Sequence, residues 1–493
     1  MIPGLAPRTD ASARTCACPE PLPCECSYLS LLRARVRSVR LRHGSEPLLR
    51  NGHLLAASAV LAAALGSVFW IFATRWYSAE TVGLSYAAIS AATLLSALGR
   101  FNLGDVLVRF LPAAGRHTRA LLLRCYLVSA VFSTLAAGVF LLLVPWIAPG
   151  LGFLRTPLVA CAFIGMTFGY SLFVLQDGAL TGLRRPGWVL GENALFAAAK
   201  TVMLMLCAVL AIGSGILVSW SAALVVSIVV TNAVLFRHAV PAHQRADRTG
   251  APAPERVMRY AMADYLGNLS GIAAYSVVPL LVLNQLGAAQ NAYYSLAWVI
   301  ADTLYVAAFS MGSSLVVEAA RAPERLGEHA RRMLRHTVLL LVCAVAVVVV
   351  AAPWILSLFG AAYAANGTTV LRLMALSALP NVLLSVAIDV SRVRRALRWL
   401  ISLQFAFAIL VVVLVAVLLP LLGLPGVGLA WLLASSALGV PLLLTLPRWL
   451  PAPKRAPAAD GTAPDGTVLD GTAPDPAPAD PAAVEGIPPE RRA

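Results

Sequence analysis

Long apolar stretches alternate with short breaks rich in Arg, Gly or Pro from residue 52 to residue 446. A helix needs about 20 mostly apolar residues to cross roughly 30 Å of hydrocarbon. Twelve stretches are long enough, at 52–74, 82–104, 120–146, 157–181, 188–212, 215–236, 259–283, 292–316, 335–359, 366–389, 398–419 and 425–446. Three of the breaks are tight: Leu183 to Gly187, Gly213-Ser214-Gly215, and Pro420 to Pro425. Each interrupts what would otherwise be one overlong apolar run, since Gly and Pro punctuate helices. The pattern predicts an all-α integral membrane protein with twelve transmembrane helices in two six-helix lobes.

The longest interior hydrophilic stretch, Arg237 to Arg256, sets the division. It gives an N-terminal arm (1–50), a first lobe (51–249), a second lobe (250–450) and a tail (451–493). A faint repeat agrees with this. AETVGLSYA (79–87) followed by LGDVLVRF (103–110) matches AQNAYYSLA (289–297) followed by MGSSLVVEA (311–319) in the order of its small, polar and apolar positions. In each half the first segment opens the second helix, and the second segment ends it on the cytoplasmic side. Two equivalent halves packed face to face leave a cavity at their interface, where transporters place substrate.

Composition supports the membrane reading and removes other classes. The chain is 59% hydrophobic and 12% charged, against about 45–50% and about 25% in soluble proteins. A soluble enzyme, a secreted disulfide scaffold and a disordered protein are excluded. The net charge of +15 would suggest nucleic acid in a soluble chain; here it orients helices, because bases collect on the cytoplasmic side. With the N-terminus cytoplasmic, 33 of the 38 Lys and Arg residues fall on that side. Both termini of this multi-pass protein are therefore expected inside a bacterial cytoplasmic membrane.

The ends read differently. Cys16, Cys18, Cys24 and Cys26 lie in a Pro-rich arm, with closer spacing than the paired ligands of familiar zinc sites. Residues 28–42 read either as a basic amphipathic helix on an anionic leaflet or as a solvated arm serving topology. The tail is built on repeats of DGTAP and has too little apolar surface to offset its ordering entropy.

The stretches Arg75-Trp76-Tyr77-Ser78-Ala79-Glu80-Thr81-Val82-Gly83, FNLGDVLVRFLP (101–112), LTGLRRPGWVLGENALFAAAK (180–200) and NAYYSLAW (291–298) carry a resemblance. Over about residues 50–450 the chain resembles the polysaccharide-exporting branch (lipopolysaccharide, O-antigen, capsule) of the multidrug/oligosaccharidyl-lipid/polysaccharide (MOP) flippase superfamily. The resemblance implies two MATE-like lobes that alternate between inward-open and outward-open states. It also implies an undecaprenyl-diphosphate-linked glycan as substrate.

Ionisable groups inside a bilayer cost roughly 2.5–3.5 kcal/mol each on insertion scales, so each needs a reason. Lys200 is the deepest base, and Glu192 lies eight positions before it on the fifth span. Both can line the substrate cavity, Lys200 meeting a diphosphate; a structural pair or a snorkelling lysine is the alternative. Arg75 is a second candidate for phosphate, or a partner for Glu80 in an outer gate. Arg100, Asp105 and Arg109 are the inner counterparts, with interfacial anchoring favoured for Arg109. Span seven carries Asp264, Asn268, Gly271 and Tyr275 on one face; span eight carries Trp298, Asp302, Tyr305 and Phe309. A carboxylate beside such oxygens can take H⁺ or Na⁺ and bias one state. The alternative is interhelical hydrogen bonding. By resemblance to lipid II flippases, which couple through second-lobe carboxylates, Asp264 is the stronger candidate. Asp177 and Asp389, near inner ends, are expected to partner loop arginines.

The outer loops are about ten residues or fewer, short for a catalytic domain. No HExxH and no P-loop occurs, and no histidine pairs with a second ligand at metal spacing. No catalytic residue, metal or cofactor is expected. The expected partners are a lipid-linked oligosaccharide, membrane lipids and a coupling H⁺ or Na⁺, with no nucleic acid. Two alternatives remain: a MATE-like ion-coupled small-molecule antiporter, and a membrane glycan polymerase or acyltransferase. Cavity acids and aromatics would favour the antiporter, a polar cluster on outer loops the enzyme.

Overall fold

A computed structural model describes residues 66–246, 255–321, 326–394 and 396–450. The cysteine arm, the 28–42 segment, the start of the first predicted span and the tail lie outside the described residues. All regular structure within them is helical. In a bilayer every backbone N–H and C=O must be satisfied internally, and a helix does this within one segment.

The twelve long helices are α1 (66–76, its described part), α2 (Ala79–Arg100), α3 (Thr118–Ile147), α4 (Pro157–Gly182), α5 (Pro186–Val209) and α6 (Gly215–Val234). They continue as α7 (Glu255–Leu286), α8 (Ala288–Arg321), α9 (Leu326–Ser357), α10 (Ala361–Val393), α11 (Leu397–Leu422) and α12 (Leu424–Leu444). Eleven helices among the described residues are long and apolar enough to cross a membrane, and α1 coincides with the end of the first predicted span. The protein is a multi-pass membrane protein.

Local signals set the helix ends. Ser78 caps α2 by accepting the Thr81 N–H at 3.2 Å. Pro157 and Pro186 open α4 and α5, where proline's missing N–H costs nothing. The turns at 183–187 and 213–215 are where the sequence places them, helped by left-handed Arg184 and Ala211. Pro420 behaves differently: α11 runs through it and ends at Gly423, whose φ of +63° turns the chain into α12.

The segment 101–112 also departs from expectation. It is not the end of the second helix, because Phe101 and Asn102 are both left-handed and stop α2 at Arg100. Leu103–Phe110 forms a separate short helix packed on α4. At the other end of the size range, α8 has 34 residues and α10 has 33, about 50 Å at 1.5 Å per residue. These exceed the hydrocarbon thickness.

In the second half α10 is central and packs on α8, α9, α11 and α12. In the first half α4 contacts α2, α3 and α6, while α5 lies along α6. The helix that joins the halves is α2, which packs on α3 and α4 on one side and on α7 and α8 on the other. The described residues form one compact unit.

Close backbone approach sets the fit of the short inner helix. A Cβ at Gly178 of α4 would lie 2.7 Å from the Gly104 carbonyl oxygen. Forcing side chains into a filled contact costs about 1–3 kcal/mol. Gly178→Leu is therefore expected to lower the melting temperature of the detergent-purified protein. An unchanged melting curve would contradict this packing.

Candidate functional site

The seam between the halves is tied, at the end that the pattern of basic residues assigns to the outer side, through side chains that donate to main-chain carbonyls. Asn291 Nδ2 on α8 donates to Gly83 O on α2 at 2.8 Å. Asn284 Nδ2 on α7 donates to Ile147 O at 2.6 Å, and Arg75 Nη2 donates to Leu358 O at 3.0 Å. A Cβ at Gly83 would collide with the Ala288 carbonyl, so only glycine permits this approach. Phe69, Trp70, Val82 and Ile89 of the first half share one apolar cluster with Ala292, Leu296, Phe359 and Tyr363 of the second. The two repeated segments, 79–87 and 289–297, are thus the ones that touch.

At the inner end the described contacts are sparser. The Tyr265 hydroxyl donates to Leu98 O at 2.9 Å, and the Phe101 ring lies 5.8 Å from that of Tyr265.

Between these ends a group of part-buried side chains defines a candidate chamber. Tyr86, Thr93 and Arg100 share one face of α2 at intervals of seven; Tyr170 (α4), Tyr275 (α7), and Asp302 and Tyr305 (α8) oppose them. All are only part-buried, although the ionisable ones sit deep in the molecule. A deep side chain with accessible surface faces internal space. Asp302 lies close enough to Tyr86, Tyr275 and Tyr305 for their charges to interact, and it accepts no hydrogen bond from the described residues. Arg100 is similarly close to Tyr170, Tyr265 and Tyr275, and donates to Ser96 Oγ at 3.0 Å. Behind Asp302 stand Trp298 and Trp431, with ring centroids 4.6 Å apart.

The other residues singled out in the sequence take other places. Lys200 is 6% exposed and sits inside the first half in an aromatic cage. Its Nζ lies 4.5 Å from the Trp220 ring, 5.1 Å from Phe69 and 5.2 Å from Phe196. Trp70 bridges this cage to the chamber, at 6.1 Å from Trp220 and 5.4 Å from Tyr86. Lys200 makes no ion pair with Glu192, which is 3% exposed and has both carboxylate oxygens without a partner among the described residues. Arg75 and Glu80 are exposed and do not pair. Asp105 is exposed on the short helix that follows α2.

On α7, the side chain of Asp264 lies outside the described residues. Asn268 Oδ1 accepts from Arg392 Nη2 at 3.1 Å, and Arg392 also meets Asp389 at 3.4 Å. Asp389 thus pairs with an arginine one turn on in its own helix, not with a loop arginine. Asp177 meets no loop arginine among the described residues either: it accepts from Asn193 Nδ2 at 3.3 Å, because Asn193 follows the turn on the facing helix. Tyr86 and Tyr170 are chamber residues that the sequence reading did not single out. The signal for Tyr86 was its place two seven-residue steps before Arg100, with Thr93 between; Tyr170 carries no sequence signal.

No group of three or more His, Cys, Asp or Glu among the described residues is arranged to hold a metal ion. A separate apolar groove of about 460 Å³ between α4 and α6, lined by residues such as Leu158, Phe163 and Val225, opens on the lipid side.

The cage makes a stability prediction. A buried ammonium without an acid costs several kcal/mol, and cation–π contact returns about 2 kcal/mol when desolvated. Lys200→Met is expected to raise the melting temperature; a lower one would show that the cage outweighs desolvation.

No protein-family profile matches the sequence, and no curated protein matches it. Solved structures do. A multidrug resistance MATE family transporter of the MOP superfamily in an inward-facing conformation superposes with a TM-score of 0.59 at 16% identity, covering 79% of this chain and 94% of that one. A MOP superfamily transporter from Pyrococcus furiosus, whose description notes a binding pocket of reversed polarity, gives a TM-score of 0.56 at 15% identity, with 83% and 98% covered. A MATE in the straight conformation gives 0.57 at 14% identity, with 82% and 95% covered. The chain shares the fold of these solved MATE and MOP superfamily structures.

Proposed function

We propose that the protein is a secondary transporter that carries a lipid-linked, phosphate-bearing glycan across the cytoplasmic membrane by alternating access. The observation that carries this reading is the seam. Its polar links are single side-chain donors to carbonyls at each end, with a part-accessible chamber between them. Each such bond has a net worth of about 0.5–1.5 kcal/mol, so one end can open while the other stays shut. The denser outer cluster agrees with an inward-facing state. In this reading Arg75 latches the outer side through Leu358 O, Arg100 meets phosphate, and Lys200 adds positive potential from behind the chamber wall.

A second reading, an ion-coupled antiporter of small organic cations, is favoured by Asp302 among Tyr86, Tyr275 and Tyr305. Asp302 is the coupling group for H⁺ or Na⁺ in the first reading and the substrate contact in the second. Both termini are cytoplasmic in either.

Accessibility tests the mechanism. In a chain whose eight cysteines are replaced by serine, a Thr93→Cys reporter is expected to react with a membrane-impermeant maleimide from the cytoplasmic side. Adding Asn291→Ala removes one outer bond and is expected to raise labelling from the opposite side by about two- to tenfold. Exclusive labelling from one side in both proteins would overturn alternating access.

Substrate class is read in proteoliposomes. Translocation of a fluorescent undecaprenyl-diphosphate oligosaccharide without uptake of ethidium supports the flippase. Ethidium uptake lost in Asp302→Asn, without glycan translocation, replaces it with the antiporter.

A further inference from the structure

The groove between α4 and α6 belongs to neither the seam nor the candidate chamber. At about 460 Å³ it has the size of a ligand pocket, about 300–1,000 Å³. Its lining is carbon almost throughout, from side chains such as Leu158, Phe163 and Met166 on α4 and Val218 and Val225 on α6. Leu158, Val218 and Val225 are exposed, and on a membrane-spanning bundle such side chains meet lipid.

Length and direction select the occupant. The lining runs from Leu158 to Met166 on α4 and from Ser214 to Val225 on α6, about 12 and 16 Å at 1.5 Å per residue. Both runs begin where their helices begin, at the end that the basic residues assign to the outer side. Half of the hydrocarbon core is about 15 Å deep, so the groove is as long as one leaflet. An acyl chain of an outer-leaflet phospholipid has that length. The undecaprenyl chain of the proposed substrate is far longer and would run out of the inner end.

A chain gains no hydrophobic energy on leaving lipid for an apolar groove, because lipid tails are as apolar as the lining. Selection therefore comes from the headgroup. Phe153 and Leu154 line the outer end of the groove, and the next residue is the exposed Arg155. Two other arginines near the outer side are committed to carbonyls, Arg75 to Leu358 O and Arg372 Nε to Val349 O at 2.9 Å. Arg155 has no hydrogen-bond or ion-pair partner among the described residues. Two long helices also start at this end, and neither Thr156 nor Ser214 caps its first turn with a side chain. Their free N–H groups add partial positive charge. An arginine and two helix starts above an apolar slot match a phosphate above an acyl chain. The amine of a zwitterionic headgroup would meet the same positive field, so a net-anionic headgroup is favoured.

We infer that the groove holds one acyl chain of an anionic phospholipid of the outer leaflet, with its phosphate at Arg155. The site stands apart from the seam and does not depend on what crosses there. Because α4 and α6 pack on each other, a chain wedged between them braces the first half.

The test reconstitutes the purified full chain in phosphatidylcholine vesicles with a trace of phosphatidylglycerol that bears a diazirine on one acyl chain. Cross-linked peptides are mapped by mass spectrometry. Cross-links are expected to concentrate on 153–166 and 214–225, and added unlabelled phosphatidylglycerol should displace them although phosphatidylcholine is in excess. Arg155→Gln, at an exposed position, should lower this cross-linking about fivefold, the effect of one base at an anionic headgroup. Ala162→Trp fills the groove from a lipid-exposed position and should abolish it. Val230→Trp, exposed outside the groove, should not.

Cross-links spread evenly over the lipid-facing helices, or an Arg155→Gln protein that cross-links like the parent, would leave only bulk lipid and overturn the proposal. Displacement by undecaprenyl phosphate where phosphatidylglycerol has no effect would give the groove to a prenyl chain and overturn the acyl assignment. Neither result alters the maleimide test of the seam, so this inference and the transporter reading fail separately.

Discussion

A hydrogen bond from a side chain to a carbonyl that already serves its own helix is a link a membrane bundle can break without stranding the main chain. The seam of this protein is held by such links. Asn291 reaches the Gly83 carbonyl, Arg75 reaches that of Leu358, and Tyr265 that of Leu98. Had the halves been joined by shared helix bonds or a continuous apolar core, no chamber would separate outer from inner contacts. Gly83 matters most among the small residues, because its missing side chain lets α2 and α8 approach at the outer end. The inner end has no comparable dense cluster among the described residues.

Charge is placed by the same economy. Lys200, without an acid among the described residues, is shielded by three aromatic rings, whereas Arg100 is a base among the part-buried side chains of the candidate chamber. The distinction separates two uses of positive charge: one sets a potential from behind a wall, the other touches what enters. Asp302 has the opposite surroundings, accessible and without a hydrogen-bond donor among the described residues. Among the described residues the candidate chamber has one base, one acid and several tyrosines, neither strongly cationic nor strongly anionic, which is why both transport readings find support in it. Glu192 stands outside this scheme, buried within the first half with unpartnered oxygens.

Much of the architecture was legible before the structure. The long apolar runs became helices, the turns at 183–187 and 213–215 fell where Gly and Pro put them, and the repeated segments 79–87 and 289–297 proved to be neighbours. The stripe of Asn268, Gly271 and Tyr275 and that of Trp298, Asp302 and Tyr305 were visible as helical faces, though Asn268 turned out to be tied to Arg392. The break after Arg100 was not visible, because two left-handed non-glycine residues at Phe101 and Asn102 leave no pattern in composition. Nor was the Lys200 cage, whose rings come from three helices.

The sequence by itself determined the membrane class, the number of apolar spans and the expected orientation. Those depend on the transfer energy of each segment and on local charge, which are sums over neighbouring residues and need no knowledge of packing. Only the tertiary structure decided which ionisable groups share a space. That depends on the rotation of each helix about its axis, fixed by many small contacts at once, and a turn of a third of a circle exchanges a chamber-lining residue for a buried or lipid-facing one. So Asp302 came to lie near Tyr86, Tyr275 and Tyr305 while Lys200, midway along its own helix, was enclosed by aromatic rings.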